Sequence, residues 1–162
     1  SDAYKNAENY YKSVFENAGG SINFYPDKSG AAPTAEMYHR ETSEFSVQDV
    51  KAFCKKHGIT ENVFFISAFG ITLGKYNFRK DAVFTTIYHG RNDSRLSDTV
   101  GMLVKTLPVY CDFSGSTADC LNAVQQQLIN SMNNDIYPSP RSAMSSTSRQ
   151  MHGDLSGRQL RL

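Results

Sequence analysis

Between Glu61 and Asn77 the chain carries Val63, Phe64, Phe65, Ile66, Ala68, Phe69, Ile71 and Leu73, a helical run that is apolar nearly all round. A helix without a polar face has to be covered on more than one side, so this run predicts a helix sandwiched between other elements. Thr60 suits its N-cap. Directly after it, Asp81–Tyr88 brings Val83, Phe84, Thr85, Thr86 and Ile87, the β-branched and aromatic composition of a buried strand. An all-round apolar helix feeding a buried strand points to an α/β fold, a layered sheet with packed helices.

The remaining elements fit that plan. Tyr4, Ala7, Tyr11, Val14 and Phe15 share one face of a helix predicted over Asp2–Asn17, which Gly19-Gly20 ends. A connection punctuated by Pro26 and Pro33 leads to an extended stretch expected over Thr34–Phe45. Ser46 and Asp49 have the spacing of a reciprocal N-terminal cap, and Val47, Val50, Phe53 and Cys54 form the apolar stripe behind it. Lys55, Lys56 and His57 put cations in the last turn, before Gly58. Arg91–Asp98 reads as a polar loop. Gly101–Phe113 reads as one or two strands, with Leu107, Val109, Cys111 and Phe113 alternating onto one face; Pro108, lacking an amide donor, favours a strand edge or start. After a cap at Ser116, Leu121, Val124, Leu128 and Met132 mark a last helix.

Residues 139–162 differ in composition. They have no Phe, Tyr, Ile or Val, and their four arginines and one acid leave a net +3. Such a segment lacks the apolar side chains for a core, so the chain divides at 138 into a folded unit, 1–138, and a Ser/Arg-rich tail, 139–162. The formal net charge of the whole, +1, gives no electrostatic reason to expect nucleic acid or an acidic membrane as partner. No stretch approaches the ~18 apolar residues of a membrane helix, and the first residues do not read as a signal peptide. Cys54, Cys111 and Cys120 are odd in number and lack C-x-x-C spacing, so free thiols in the cytoplasm are expected.

The segment Thr99–Tyr110 reads T-V-G-M-L-V-K-T-L-P-V-Y and follows Gly90-Arg91 by about ten residues. Together they resemble the G-R…(I/V)-G-x-F-V-N-T-x-P-x-R segment of the condensation domains of non-ribosomal peptide synthetases. The resemblance extends in order along the chain. Ala7–Tyr11 is similar to the family's A-E-x-Y-W helix start, and Phe24-Tyr25-Pro26-Asp27 to its L-P-x-D turn. Ala68, Leu73 and Tyr76 match the helix preceding the D-x-V…G-R strand, and Asn134–Pro138 is faintly similar to Q-D-Y-P-F-E. The sequence departs from the pattern at Leu103, Lys105 and Tyr110, where Phe, Asn and Arg are usual.

The resemblance implies the C-terminal, chloramphenicol-acetyltransferase-like half of a domain built from two such halves around a substrate tunnel. It implies amide formation between a carrier-bound acyl or aminoacyl thioester and an amine, with phosphopantetheine carried by the partner carrier proteins and no cofactor held by this chain. The family's H-H-x-x-x-D-G catalytic sequence belongs to the N-terminal half and is not found in this sequence, so no catalytic residue is assigned and the chain alone is expected to be inactive. Arg91, Gly101, Lys105 and Thr106 are its candidate tunnel or structural residues. Arg91 has the fork geometry to clamp a carboxylate or a carbonyl, with loop bracing the simpler role. Gly101 is expected at a bulge or a close backbone approach. Lys105 is either a snorkelling edge cation or a tunnel-facing one, and Thr106 offers a hydroxyl without requiring a function.

His89 and Asp93 form an H-x-x-x-D that would suit a general base in a small acyltransferase, but His89 is single and Ser94 stands where Gly is expected, so an exposed turn is the favoured account. The four histidines are dispersed, without metal-ligand spacing. No histidine lies near Cys111 or Cys120 in sequence, so neither cysteine reads as a nucleophile. Two further partners are expected: the missing N-terminal half of the domain, or another copy of the chain acting as a non-catalytic interaction module.

Overall fold

A computed structural model of the 162-residue chain describes residues 1–16, 18, 37, 39, 41–91 and 93–136. The described residues form four helices, α1 (Asp2–Glu16), α2 (Val47–His57), α3 (Glu61–Tyr76) and α4 (Thr117–Asn133), with strands β1 (Asp81–Tyr88) and β2 (Lys105–Asp112) between α3 and α4. Gly19-Gly20, the Phe24–Asp27 turn, five of the twelve residues of the Thr34–Phe45 stretch and the 139–162 tail lie outside the described residues. The described part of that stretch contains no strand.

The two strands pair antiparallel, from Asp81 opposite Asp112 to Tyr88 opposite Lys105. Successive strand residues face opposite ways, so Ala82 and Phe84 lie on one face with Cys111 and Val109, while Val83 and Tyr110 lie on the other. The first face meets α2, α3 and α4 in the main core through Val50, Ile66, Leu73, Leu121, Val124 and Leu128. The second meets α1 through Tyr11 and Phe15. The sheet is thus a middle layer. The strand expected over Gly101–Phe113 is the shorter Lys105–Asp112.

Local chemistry explains where the helices begin. Ser46 accepts from the Asp49 amide while the Asp49 carboxylate accepts from Ser46, and Ser116 and Asp119 repeat the arrangement. Each such cap is worth about 1 kcal/mol. Gly58 closes α2 in the left-handed conformation at φ +64°.

The expectation for α3 needs correction. Its phenylalanines are not all core: Phe65 is 56%, Phe69 50% and Tyr76 59% exposed. The reason is that α3 presses the sheet with its smallest side chains. Ser67, Gly70 and Gly74 are buried. A Cβ added at Gly74 would lie 2.4 Å from Phe113 and 2.9 Å from the Asp81 carbonyl, and one at Gly70 would lie 2.8 Å from Cys111 Cβ. Such contacts leave no room for a bulky residue on the sheet-facing side, so part of the aromatic complement points outward.

α4 runs along β2 and ties both sheet faces together. The Gln127 side chain accepts from the Tyr110 amide at 3.0 Å, at the strand edge that β1 does not occupy. From α1, the Tyr10 hydroxyl donates to the Gln127 carbonyl and that of Tyr11 to the Ser131 carbonyl, at 3.0 and 3.1 Å.

Candidate functional site

The β1–β2 connection begins where the chain leaves β1. Gly90 sits at φ +69°, and a Cβ there would be 2.1 Å from the Leu103 carbonyl oxygen, so both conformation and space require glycine. The close backbone approach expected at Gly101 therefore occurs at Gly90 instead. A Cβ at Gly101 would meet nothing within 4 Å.

Next to Gly90, the Arg91 guanidinium reaches across the loop. Its Nη1 donates to the carbonyls of Leu96 and Thr99 at 3.1 and 2.9 Å, and its Nη2 to that of Gly101 at 3.1 Å. One planar side chain thus gathers three loop carbonyls, a use that suits a rigid five-donor fork. Among the described residues, only the Leu96 carbonyl of these three also accepts a backbone amide, from Thr99 at 3.2 Å. Within the same loop, a 3₁₀ turn spans Ser94–Leu96 with Asp93 as its cap.

His89 and Asp93 are not partners. The His89 Nδ1 accepts the Arg91 amide at 2.9 Å, which leaves the ring proton on Nε2. The Asp93 carboxylate instead accepts from the Arg95 guanidinium, at 3.0 Å from Nε to each oxygen. These bonds hold the Asp93 carboxyl well down, at about 2. A base needs its proton-accepting nitrogen free and its acid aimed at the ring; here neither condition is met.

Opposite the loop, Lys105 opens β2 beside the end of α4. Its Nζ lies 2.9 Å from Asp135 Oδ2 and donates to the Asp135 carbonyl at 3.2 Å. Between these parts lies an open cleft of about 510 Å³, lined by Tyr88, Gly90, Asp93, Leu96, Lys105, Met132, Asn133 and Asp135. Its walls are polar, with two carboxylates, one ammonium and one carboxamide, and Met132 and Leu96 supply apolar surface.

Of the four residues singled out in the sequence, Arg91 and Gly101 are joined by a hydrogen bond and Lys105 lines the cleft. Thr106 is set apart. Following Lys105 by one position, it faces the other side of the sheet, opposite Ile87. Tyr88, Met132, Asn133 and Asp135 were not among those four. Tyr88 enters through strand register, as the partner of Lys105. The other three enter because α4 ends beside β2, and only the N-D-I-Y-P segment around Asp135 carried a local signal. Among the described residues no group of three or more His, Cys, Asp or Glu could hold a metal ion. No helix among them is long and apolar enough to cross a membrane.

Comparison with known proteins gives consistent matches. The family model described as "Condensation domain" matches residues 1–152. The nonribosomal peptide synthetase sidC of Arthroderma benhamiae is 29% identical over 131 residues, 80% of this chain and 2% of that protein. Bacitracin synthase 2 of Bacillus licheniformis is 26% identical over 85% of this chain and 5% of its own length. Among solved structures, SgcC5 from Streptomyces globisporus superposes with a TM-score of 0.70 at 20% identity, over 89% of this chain and 33% of that one. The first condensation domain of the CDA synthetase gives 0.65 at 16% identity, over 85% and 31%. The chain therefore spans about a third of these structures and a few per cent of the synthetases, and at these identities the structural matches speak for the fold.

Proposed function

We propose that this chain, which belongs to the condensation-domain family of nonribosomal peptide synthetases, is the C-terminal, chloramphenicol-acetyltransferase-like half of such a domain and supplies one wall of its substrate tunnel. The observation that carries this reading is a juxtaposition. The two segments that resemble family motifs, 99–110 and 134–138, meet through the Lys105–Asp135 pair across a single cleft.

In the intact domain, an amine on one carrier protein attacks the thioester carbonyl on another. A C–N bond forms, the C–S bond breaks, and the thiol leaves with the proton lost by the amine. The protein's contribution is to hold the two arms in line and to meet the developing charge with fixed dipoles. Phosphopantetheine belongs to the carriers and arrives as part of the substrate. Lys105 and Asn133 give the cleft the donors an amide-bearing arm needs. Arg91 is a positioning residue: it holds the loop that forms the cleft's far side, and Gly101 is one of its three anchors. Thr106, on the other sheet face, acts as a strand residue. The three free cysteines suit the cytoplasm.

On this reading the 162-residue chain is inactive alone. Incubated with one carrier bearing an acyl thioester and another bearing the acceptor amine, it yields no amide above the uncatalysed rate. Amide formation by the chain alone would overturn the assignment. A second reading, a self-associating interaction module, is favoured by the outward stripe of Phe65, Phe69 and Tyr76. Sedimentation as a monomer at all concentrations would remove it.

A further inference from the structure

We propose that Cys111 and Cys120 are an oxidisable dithiol, a modification site that closes to an intramolecular disulfide and locks the first turn of α4 onto β2. Cys111 lies on the core face of β2, and Cys120 follows directly on the Ser116–Asp119 capping box of α4. Their sulfurs are 3.3 Å apart, and both residues are buried, at 0% and 2% exposure. A disulfide bond is about 2.05 Å long, so closure asks for a sulfur displacement of roughly 1.3 Å, within reach of small side-chain rotations. Two thiols held in contact in a dry site meet as an intramolecular pair, without the entropic cost of bringing two groups together.

The two sulfurs are not equivalent. The sulfur–sulfur contact with Cys120, and then burial, push the Cys111 thiol up, while the same contact holds Cys120 lower. Cys120 also stands in the first turn of a helix, where the dipole favours an anion. With a peroxide as oxidant, the Cys120 thiolate attacks one peroxide oxygen, giving a sulfenic acid and releasing hydroxide. The Cys111 sulfur then attacks the sulfenic sulfur, the S–S bond forms, and water leaves with the Cys111 proton. The two sulfurs lose two electrons in total and one peroxide becomes two waters. Because both thiols are buried, the oxidant gains access when the first turn of α4 frays, and the capping box sets how often that happens.

The sequence provides a direct assay. Trypsin leaves both cysteines in one peptide, 106–141, and Cys54 in another, 52–55. The folded chain is treated with hydrogen peroxide, alkylated after denaturation and digested. The expected result is a 106–141 peptide that takes no alkyl group and is about 2 Da lighter than its dithiol form, with Cys54 fully alkylated and dithiothreitol restoring both sites. Ser116→Ala, which weakens the cap, accelerates the reaction roughly fivefold. The proposal is overturned if 106–141 keeps both alkylatable thiols under conditions that oxidise the denatured chain, or if Cys54 is crosslinked as readily. An unchanged rate in Ser116→Ala overturns the fraying route.

Discussion

β2 is bound to α4 at both of its ends, and the two ends rely on different physics. At the Cys111 end the contact is dry and close, with Val109, Cys111, Val124 and Leu128 buried among the helices and glycines letting α3 approach the strands. At the Lys105 end the contact is polar and open, an ion pair beside a loop that Arg91 gathers through three carbonyls. Packing energy is non-directional and cooperative, so damage to the first end spreads through the fold. Hydrogen bonds at an exposed loop are directional and net-weak, so damage to the second stays local. A scaffold with one end of each kind keeps the packed end rigid while the walls of the open cleft can change locally.

This contrast is open to breaking, beginning with its largest expected effect. Leu128→Ala removes a buried side chain between α4 and the sheet and should cost about 3 kcal/mol, read as a lower midpoint in urea. Arg91→Ala should cost less than about 1 kcal/mol globally, yet speed amide exchange across 93–101 more than tenfold. If Arg91→Ala proved as destabilising as Leu128→Ala, the two ends would not differ in kind.

Between these extremes stands the α1–α4 contact. The Tyr11 hydroxyl donates to the Ser131 carbonyl, and burial pushes its pKa up to about 12. An unfolded tyrosine titrates near 10. Between pH 10 and 12 the unfolded chain therefore loses a proton that the folded chain keeps, and stability falls as pH rises through that window. Tyr10 shifts in the same direction. Tyr11→Phe should cost about 1 kcal/mol at neutral pH and flatten the fall above pH 10, both measurable by denaturant titration. The smallest effect belongs to Asp93. Arg95 holds its carboxyl at about 2, so its contribution is present above pH ~4 and lost as pH falls toward 2. The pair is exposed, so the stability change is slight. An NMR titration should nevertheless show the Asp93 pKa returning to the ordinary carboxylate range in Arg95→Ala.

What the sequence made legible follows the same division. The caps at Ser46, Thr60 and Ser116 were readable because a cap is chemistry between residues three apart. β1 was readable from its β-branched run. The outward aromatic face of α3 was not, because hydropathy records how apolar a side chain is and not which side the neighbouring sheet takes. Gly70 and Gly74 carry that information, and only through the contacts they permit. In the cleft, Arg91 and Lys105 stood out in the sequence. Asp135 stood out only through its faint motif, since its partner lies 30 residues away. The Cys111–Cys120 contact depends on where α4 settles against β2, and no spacing rule conveys it.

The most direct test joins this chain, in one polypeptide, to the remaining H-H-x-x-x-D-G-bearing part of a condensation domain and follows amide formation between two loaded carriers. If the polar end is the functional wall, Arg91→Ala lowers the rate at least tenfold while the melting temperature holds within a few degrees. A rate unchanged by Arg91→Ala, with the loop loosened as its amide exchange would report, would contradict that assignment.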